Sequence, residues 1–414
     1  MLGLAVASLR NRRTTAVLTV LSIGLSVALV LSVESLRRDT RAAFANTVSG
    51  VDLIVGARSG SVQLLLYSVF RIGNATNNIS WESYEAIRRD PEVAWTIPFS
   101  LGDSHRGYRV LGTELTYFEH YRYSAKRALV IGEGKRFEKP LDAVLGAEIA
   151  SKLGYQVGDM IVLSHGAGDV SFIQHDDKPF TVVGILERTG TPVDRTVHIS
   201  LAGMEAIHEG WKDGAPPAGR SLTFGPVSSE PQAITAFLVG LKSRMSVFRV
   251  QRRINEYRRE PLLAILPGVA LQELWDVLRL AEDALRVVAG MVVVTGLAGM
   301  MVVILSTLEA RRREMAILRS VGAGPSNIFG LFMLEAALLT FGGIVVGLLL
   351  RFLVAAAAQP VAQSMLGVQI SIGLPTATEI TILVLILAGG LLAGAIPAFR
   401  ASRMSLADGL SMRI

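Results

Sequence analysis

VVAGMVVVTGLAGMMVVILSTL, residues 287–308, runs directly into EARRREMAILRSVGA, residues 309–323, and this junction decides the fold. The first stretch has no charged residue in 22 positions, and a helix needs about 20 apolar residues to cross the hydrocarbon core of a bilayer. The second stretch has four arginines, and such an excess in a short loop marks the cytoplasmic side of a membrane. The junction therefore predicts a transmembrane helix that ends in a basic cytoplasmic segment.

Three further apolar runs flank this one, and the composition agrees with a membrane protein. Only 18% of the residues are charged and the mean hydropathy is +0.44, whereas soluble domains have about 25% charged residues. The first run is longer than the apolar part of a signal peptide and lacks a small-residue cleavage site, so we expect an uncleaved anchor. The predicted transmembrane helices are residues 14–33, 284–308, 328–356 and 378–399.

The basic residues predict the topology. Segments 1–13, 309–327 and 398–414 together contain ten arginines and three acidic residues, which accounts for the net charge of +6. We expect these segments in the cytoplasm, and the surplus charge is thus a topology signal rather than a nucleic-acid-binding surface. The expected cytoplasmic segments are 1–13, 309–327 and 400–414, and the expected extracytoplasmic ones are 34–283 and 357–377.

Residues 34–283 are too many for a connecting loop and must fold. Residues 37–48 continue the first helix as a stalk, and helix and strand patterns at about 80–120 and 230–267 predict one α+β subdomain. Short β-rich runs between Gly, Asp and Pro turns over about 121–229 predict a β-rich subdomain inserted into it. The predicted fold is therefore four transmembrane helices plus a large α+β extracytoplasmic domain with an inserted β-rich subdomain.

Particular elements follow from capping and periodicity within this domain. Ser80 and Gly154 are predicted as the N-cap and the C-cap of two helices. The run Leu64–Phe70 is too short to span, so we expect it on the membrane surface or at the base of the helices. The predicted helices are Trp81–Arg89, Ala143–Leu153 and Met245–Arg258, and the predicted strands include Phe180–Leu186, Val197–Ser200 and Leu262–Leu266.

Two charged residues lie inside the third predicted span, where a charge is costly. Glu335 and Arg351 are 16 positions apart, or roughly 24 Å along a helix, which is too far for them to pair. With no second acid in the interior of a predicted span, we predict that Glu335 makes a structural hydrogen bond toward the bundle rather than serving as a proton relay. We expect Arg351 to extend toward the outer interface.

Small residues indicate where the helices touch. Gly343 and Gly347 form a G-x-x-x-G pair in the third span, and Gly390 and Gly394 form another in the fourth. Such pairs allow close approach of two helix backbones in lipid. We therefore predict helix packing at both pairs.

The cytoplasmic segment Glu309–Ala323 resembles the signature of the FtsX/MacB/LolC family of ABC transporter permeases. The similarity continues through Leu334-Glu335-Ala336 and Gly342-Gly343, and Pro397–Arg403 also matches. The order of one span, a large outer domain and three spans is the same. The resemblance implies that residues 309–327 form a coupling helix that docks in a groove of an ATPase. The residues it assigns to coupling are Glu309, Arg311, Arg312, Arg313, Glu314, Met315, Ile317, Leu318 and Arg319.

The resemblance also implies partners and a location. The chain has no G-x-x-x-x-G-K-[ST] motif, so we expect it to bind no cofactor, with ATP and Mg²⁺ held by a separate ABC ATPase present in two copies. A second permease is implied, either a copy of this chain or a paralogue. So is a periplasmic adaptor, lipoprotein or substrate-binding protein beside a bacterial inner membrane, with the large domain periplasmic.

The physical character of the 309–327 segment does not depend on this resemblance. Its apolar and basic residues form a short amphipathic helix at the membrane face. Such a helix either inserts its apolar residues into a partner's groove or only anchors the topology on lipid headgroups. Both interpretations remain open from the residues alone.

Signals for catalysis and metal binding are weak. The chain has no cysteine, and all six histidines lie in the outer domain. A hairpin would bring His165 and His175 together near Asp169, Asp176 and Asp177, but no metal-ligand spacing supports a site. The sequence therefore predicts no catalytic, cofactor-binding or metal residue, which disfavours a membrane-anchored enzyme.

Two functions remain. The first is ATP-driven mechanotransmission that moves or extracts an amphiphile, peptide or lipoprotein, which the large outer domain favours. The alternative is an FtsX-like permease that regulates an extracytoplasmic peptidoglycan hydrolase.

Overall fold

The computed structural model describes residues 2–47, 49–124, 126–166, 178–208, 231–366 and 373–403. It divides into two compact units. The helical unit comprises Met1–Asp39, Arg279–Met365 and Ile370–Ile414, and the α/β unit comprises Thr40–Leu278 and Leu366–Gln369.

The described part of the helical unit consists mainly of helices, and the α/β unit has shorter helices in addition to its sheet. They are α1 (Leu2–Asn11), α2 (Arg13–Thr47), α3 (Ser61–Leu65, continued by a π-helical turn over Leu66–Phe70), α4 (Trp81–Arg88), α5 (Thr116–His120), α6 (Ala147–Leu153), α7 (Leu201–Ile207), α8 (Val247–Asn255), α9 (Pro267–Ala310), α10 (Arg312–Ser320), α11 (Pro325–Leu366) and α12 (Ala377–Ser402).

Four helices in the described part of the chain are long and apolar enough to cross a membrane, namely α2, α9, α11 and α12. Their inward residues form one core that includes Ile23, Phe332 and Ile386. Their outward faces expose large apolar side chains, among them Val294 and Leu353, each 67% exposed. Continuous apolar exposure of this kind marks a surface that lipid covers.

The helices are longer than the predicted spans. Helix α11 begins at Pro325 and continues to Leu366, so the first part of the segment expected as an outer loop, 357–377, is helical. Pro360 does not end α11. Residues 367–372 of this segment and 404–414 of the expected cytoplasmic tail lie outside the described residues.

The strands of the α/β unit are numbered along the chain. They are β1 (Leu53–Ala57), β2 (Ile79–Ser80), β3 (Val93–His105), β4 (Tyr108–Thr113), β5 (Arg122–Tyr123), β6 (Arg127–Ala128), β7 (Ile131–Gly134), β8 (Asp142–Leu145), β9 (Met160–Ile161), β10 (Ser164–His165), β11 (Phe180–Leu186), β12 (Thr196–Ser200), β13 (Ala233–Ile234), β14 (Ala236–Leu241) and β15 (Leu262–Ile265).

One mixed sheet holds the α/β unit together, with the order β15-β1-β14-β3-β4-β12-β8-β11-β7, β10 on β3 and β9 on β11. Strand β3 is 13 residues long, and its first half pairs with β14 while its second half pairs with β4 and β10. Strands β7 to β12 of the expected β-rich insert continue this sheet, and Val144 and Leu186 share a core with Ile97 and Leu238. The bounds expected for the insert stay a prediction.

The two helix caps predicted within the outer domain are confirmed, whereas one predicted helix is only partly correct. The side chain of Ser80 caps α4 by accepting a hydrogen bond from the Ser83 amide, and Gly154 ends α6 with a φ of 72°, which favours glycine. The predicted helix Ala143–Leu153 is wrong in its first part. Those residues form the fully buried strand β8, and the helix starts after Gly146.

Of the two positions expected for the run Leu64–Phe70, its contacts agree with packing at the base of the helices, since the Phe70 ring centroid lies 4.3 Å from that of Phe44 in α2. The run forms α3 and the π-helical turn, and its side chains are packed in the core of the α/β unit. The absence of a side chain at Gly56 in β1 makes room for Leu64 and Tyr67. The short apolar run thus covers a sheet face, as a buried helix does.

Candidate functional site

The segment that joins α9 and α11, which the sequence predicts to be cytoplasmic, folds as α10, and its side chains divide into an inward and an outward set. Arg311 is the N-cap of α10, and Met315 and Ala316 are buried. Met315 belongs to the core of the helical unit. The coupling residues expected from the sequence therefore do not all face the same way.

Arg311 makes the principal inward contact. Its Nη1 and Nη2 donate to the two carboxylate oxygens of Glu335 in α11, at 2.6 and 2.7 Å. Nη2 also donates to Ser8 Oγ in α1 at 3.0 Å, and the guanidinium lies 4.3 Å from the Phe332 ring centroid. This bidentate pair is the strong form of an ionic hydrogen bond. It fixes the start of α10 to α1 and α11.

Glu335 thus makes a hydrogen bond toward the bundle, with a partner that spacing along α11 did not reveal. Both side chains of the pair are 5% exposed. Removing either one would leave an uncompensated buried charge. The pair thus links the start of α10 to the core of the helical unit.

The outward set forms what we call the α10 face, made of Arg312, Arg313, Ile317 and Val321. Ile317 is 57% exposed and Val321 83% exposed, and four residues of separation places them on one side of a helix. Arg312 and Arg313 are exposed beside them, as are Glu309 and Glu314. An exposed apolar pair framed by arginines suits the groove of a protein partner.

Leu318 and Arg319, also expected at the coupling surface, are half-buried. Arg319 Nη2 donates to the Ser402 carbonyl at the end of α12, at 2.6 Å. This bond satisfies a carbonyl that has no partner within its own helix. Arg319 therefore anchors α10 to α12.

A second charged cluster surrounds Arg351. Its Nη2 donates to Ser35 Oγ in α2 at 2.8 Å and lies 3.1 Å from Glu379 Oε1 in α12. Arg38 Nη1 reaches the same oxygen at 3.2 Å. Arg351 is 5% exposed, so its guanidinium is paired with groups of α2 and α12, and its expected extension toward the outer interface stays a prediction. The acid it needs, Glu379, forms a capping box with Thr376, a T-x-x-E pattern that the sequence did display.

The two glycine pairs lie where helices meet. Gly343 faces Ile23, and Gly347 faces Val27, both in α2. Gly390 faces Thr340 and Gly394 faces Ala336, both in α11. A side chain at any of these positions would collide with the neighbouring helix.

The histidines expected to be of little chemical use are largely structural. Burial lowers the pKa of His198 to about 3, helped by the positive charge of Arg71. His105 bridges the Val162 carbonyl and the Tyr155 hydroxyl. His175, Asp169, Asp176 and Asp177, considered from the sequence as metal ligands, lie outside the described residues.

The fold and this site define an α-helical membrane protein with a large α/β domain between its first and second spans and an arginine-rich helix between its second and third. Two family models match the chain. The MacB-like periplasmic core domain matches residues 16–257, and the FtsX-like permease C-terminal domain matches residues 286–406. The chain belongs to the MacB/FtsX-like family of ABC transporter permeases.

Among curated proteins, the chain is 24% identical over 429 residues to the macrolide export ATP-binding/permease protein MacB of Nitrobacter winogradskyi. The match covers 98% of this chain but 59% of that relative, so the chain spans less than two thirds of the relative's length.

Two solved structures also match. The periplasmic region of MacB from Actinobacillus actinomycetemcomitans has 8% identity and a TM-score of 0.34, over 55% of this chain and 94% of that one. The extracellular domain of the noncanonic ABC-type transporter YknZ from Gram-positive bacteria has 10% identity and a TM-score of 0.31, over 52% and 98%.

Proposed function

We propose that this chain is the permease subunit of an ABC transporter whose ATPase is a separate chain, and that the α10 face docks on that ATPase. The observation that carries the proposal is the division of α10. Ile317 and Val321 are exposed between arginines, while Arg311 and Met315 hold the helix to the bundle. A helix that only anchored topology would not need a buried bidentate ion pair behind it.

The proposal assigns direct contact with the ATPase to only some of the residues that the sequence predicts to take part in coupling. Arg312, Arg313, Ile317 and Val321 contact the ATPase, with Glu309 and Glu314 at the rim. Arg311, Met315 and Arg319 lie on the opposite side of α10 and hold it to the other helices of the helical unit. Movement of the ATPase then moves α10 and the helices bound to it.

Mechanotransmission is the mode of action that we infer. Helices α2 and α9 have 35 and 44 residues, or roughly 50 and 65 Å of unbroken helix at 1.5 Å per residue. The boundaries at 39/40 and 278/279 fall within α2 and α9 respectively. An unbroken helix resists bending, so force applied in the helical unit reaches the α/β unit.

The proposed work is the movement or extraction of an amphiphile, peptide or lipoprotein on the outer side of the inner membrane. This substrate class follows from the family together with the size of the α/β unit. ATP and Mg²⁺ belong to the partner ATPase, and the assembly has two ATPases and two permeases.

The test is affinity purification of the tagged chain in mild detergent, followed by mass spectrometry. We expect a stoichiometric ABC ATPase with the wild type. The variant Arg312→Glu/Arg313→Glu/Ile317→Asp is expected to lose it. The control, Arg10→Glu/Arg400→Glu, reverses two exposed charges on the same predicted side of the membrane and is expected to retain it. Equal ATPase recovery with both variants would refute the docking assignment, and co-purification of a peptidoglycan hydrolase would favour the regulatory alternative.

A further inference from the structure

Three side chains from different elements of the α/β unit meet away from the features described above. They are Asp103 in β3, His165 in β10 and His208 after the last residue of α7. Asp103 Oδ1 lies 3.1 Å from His165 Nδ1 and 3.4 Å from His208 Nε2. The two ring nitrogens are 3.2 Å apart. The three atoms form a nearly equilateral triangle.

The fold brings them together by identifiable means. Strand β10 pairs antiparallel with β3, and His165 lies directly opposite Asp103. The register of β3 on β4 shifts between Leu101 and Ser104, and such a bulge redirects the side chains of its extra residues. His208 enters from the other direction, at the end of α7, which starts with a cap from Ser200 in β12. The residues are 62 and 43 positions apart, so no sequence motif announces them.

The hydrogen bonds of His208 determine what its Nε2 can do. Nδ1 lies 2.9 Å from the Met204 carbonyl, and a carbonyl only accepts, so Nδ1 carries the hydrogen. In neutral imidazole the other nitrogen then presents a lone pair. That lone pair points at a carboxylate oxygen and at a second ring nitrogen. A positive charge between the three atoms, carried either by a proton on a ring nitrogen or by a bound cation, makes this arrangement favourable.

The spacing of the three atoms also fits a metal ion. Zn²⁺ binds His nitrogen and Asp oxygen at about 2.0–2.1 Å in tetrahedral sites, which sets neighbouring ligand atoms about 3.3 Å apart. All three observed separations are within a few tenths of an ångström of that value. A histidine whose second ring nitrogen donates to a backbone carbonyl is the usual outer-shell arrangement of a metal ligand.

We infer that Asp103, His165 and His208 form a binding site for a divalent transition-metal ion of the zinc class in the α/β unit. Two imidazoles and one carboxylate suit zinc and its neighbours rather than calcium or magnesium, which prefer all-oxygen sites. The Asp103 carboxylate is buried, while the side chains of His165 and His208 are 35% and 25% exposed. The histidine side is therefore the more accessible side of the cluster among the described residues, and these three residues supply three of the ligands that an ion would need.

The experiment uses the full-length chain, purified in detergent without a polyhistidine tag and stripped with a chelator. Zn²⁺ is titrated by calorimetry, and Co²⁺ is added as a spectroscopic probe. We expect one tight equivalent of Zn²⁺ per chain and the intense visible absorption of four-coordinate Co²⁺. Asp103→Asn and His165→Gln are each expected to weaken Zn²⁺ binding by at least about tenfold, and His165→Gln/His208→Gln is expected to abolish it.

His120→Gln is the matched control, because His120 stacks on Trp95 away from the cluster and its loss should leave Zn²⁺ binding unchanged. Circular dichroism in chelator checks that each variant is folded. If a variant does not fold, the stoichiometry and the Co²⁺ spectrum of the wild type still decide. Failure of the wild type to bind one equivalent, or equal affinity in the folded double variant, would overturn the assignment.

Discussion

The guanidinium of Arg311 donates two hydrogen bonds to the carboxylate of Glu335, at 2.6 and 2.7 Å, across 24 residues of sequence. The same guanidinium contacts Glu314, which is in α10 and 54% exposed, at 3.3 Å. One arginine thus has a buried and an exposed acidic partner. Substituting each of the two acids in turn shows how much burial adds to the contribution that an ion pair makes to the free energy of unfolding.

Glu335→Gln is expected to lower the free energy of unfolding by about 3–5 kcal/mol, because it leaves Arg311 buried without a counter-charge. Glu314→Gln, the same chemical change on the exposed partner, should cost about 1 kcal/mol or less. Thermal or denaturant unfolding of the full chain in detergent measures both. Replacing the pair together, as Arg311→Met/Glu335→Leu, should restore much of the loss. If the two Glu→Gln variants were equally stable, the buried pair would not be holding α10.

Helix packing gives a prediction with an internal control. Gly390→Ala places a methyl group against Thr340, whereas Gly299→Ala in α9 meets open space. The first should destabilise the bundle by about 1–3 kcal/mol through overpacking. The second should be neutral or stabilising by up to about 1 kcal/mol, since alanine is the better helix former. A bundle that tolerated both changes equally would contradict the close contact between α11 and α12.

Buried His198 predicts an acid-sensitive α/β unit. Its Nδ1 contacts the Val144 carbonyl at 3.2 Å and its ring lies against Tyr117. The pKa of His198 is about 3 when folded, against 6.5 for an ordinary histidine. As pH falls below 6.5, His198 becomes protonated in the unfolded chain but stays neutral in the folded chain. The stabilisation is therefore complete above pH 6.5, and about 2 kcal/mol of it is lost by pH 5.

His198→Phe removes this titration, so its unfolding free energy should fall less between pH 7 and pH 5 than that of the wild type, whatever its stability at pH 7. His120→Gln serves as the reference for loss of a histidine elsewhere in the unit. Parallel pH profiles for His198→Phe and the wild type would show that His198 is not the group responsible.

The sequence predicts the spans because uninterrupted apolar runs of about 20 residues have few alternative explanations. It does not predict which arginine of Arg311, Arg312 and Arg313 faces inward, because the three are consecutive and chemically alike. That choice depends on where α10 begins relative to Glu335, which is a property of the packed bundle. Glu379 was missed for a related reason: it lies at the edge of an apolar run, where an acid is expected to be solvated.

The outer domain was harder to predict. Strand β1 lies between Gly50 and Gly60 and itself contains Gly56, and its place in the sheet appears only through pairing with β14 and β15. The long strand β3 joins two parts of the chain that have different sequence patterns. Local patterns cannot show that the strands of these two parts belong to one sheet. The Asp103–His165–His208 cluster depends on the same strand, which explains why spacing gave no sign of it.

The central claim is that the α10 face contacts a separate ABC ATPase, and site-specific crosslinking tests it most directly. Because the chain has no native cysteine, Ile317→Cys, Val321→Cys and Leu392→Cys can each carry one photo-crosslinker in membranes that contain the ATPase. Leu392, in α12, is 73% exposed and apolar, which makes it the lipid-facing control. The account predicts crosslinks to the ATPase from positions 317 and 321 and none from 392. ATPase crosslinking from 317 and 321 no greater than that from 392 would contradict it.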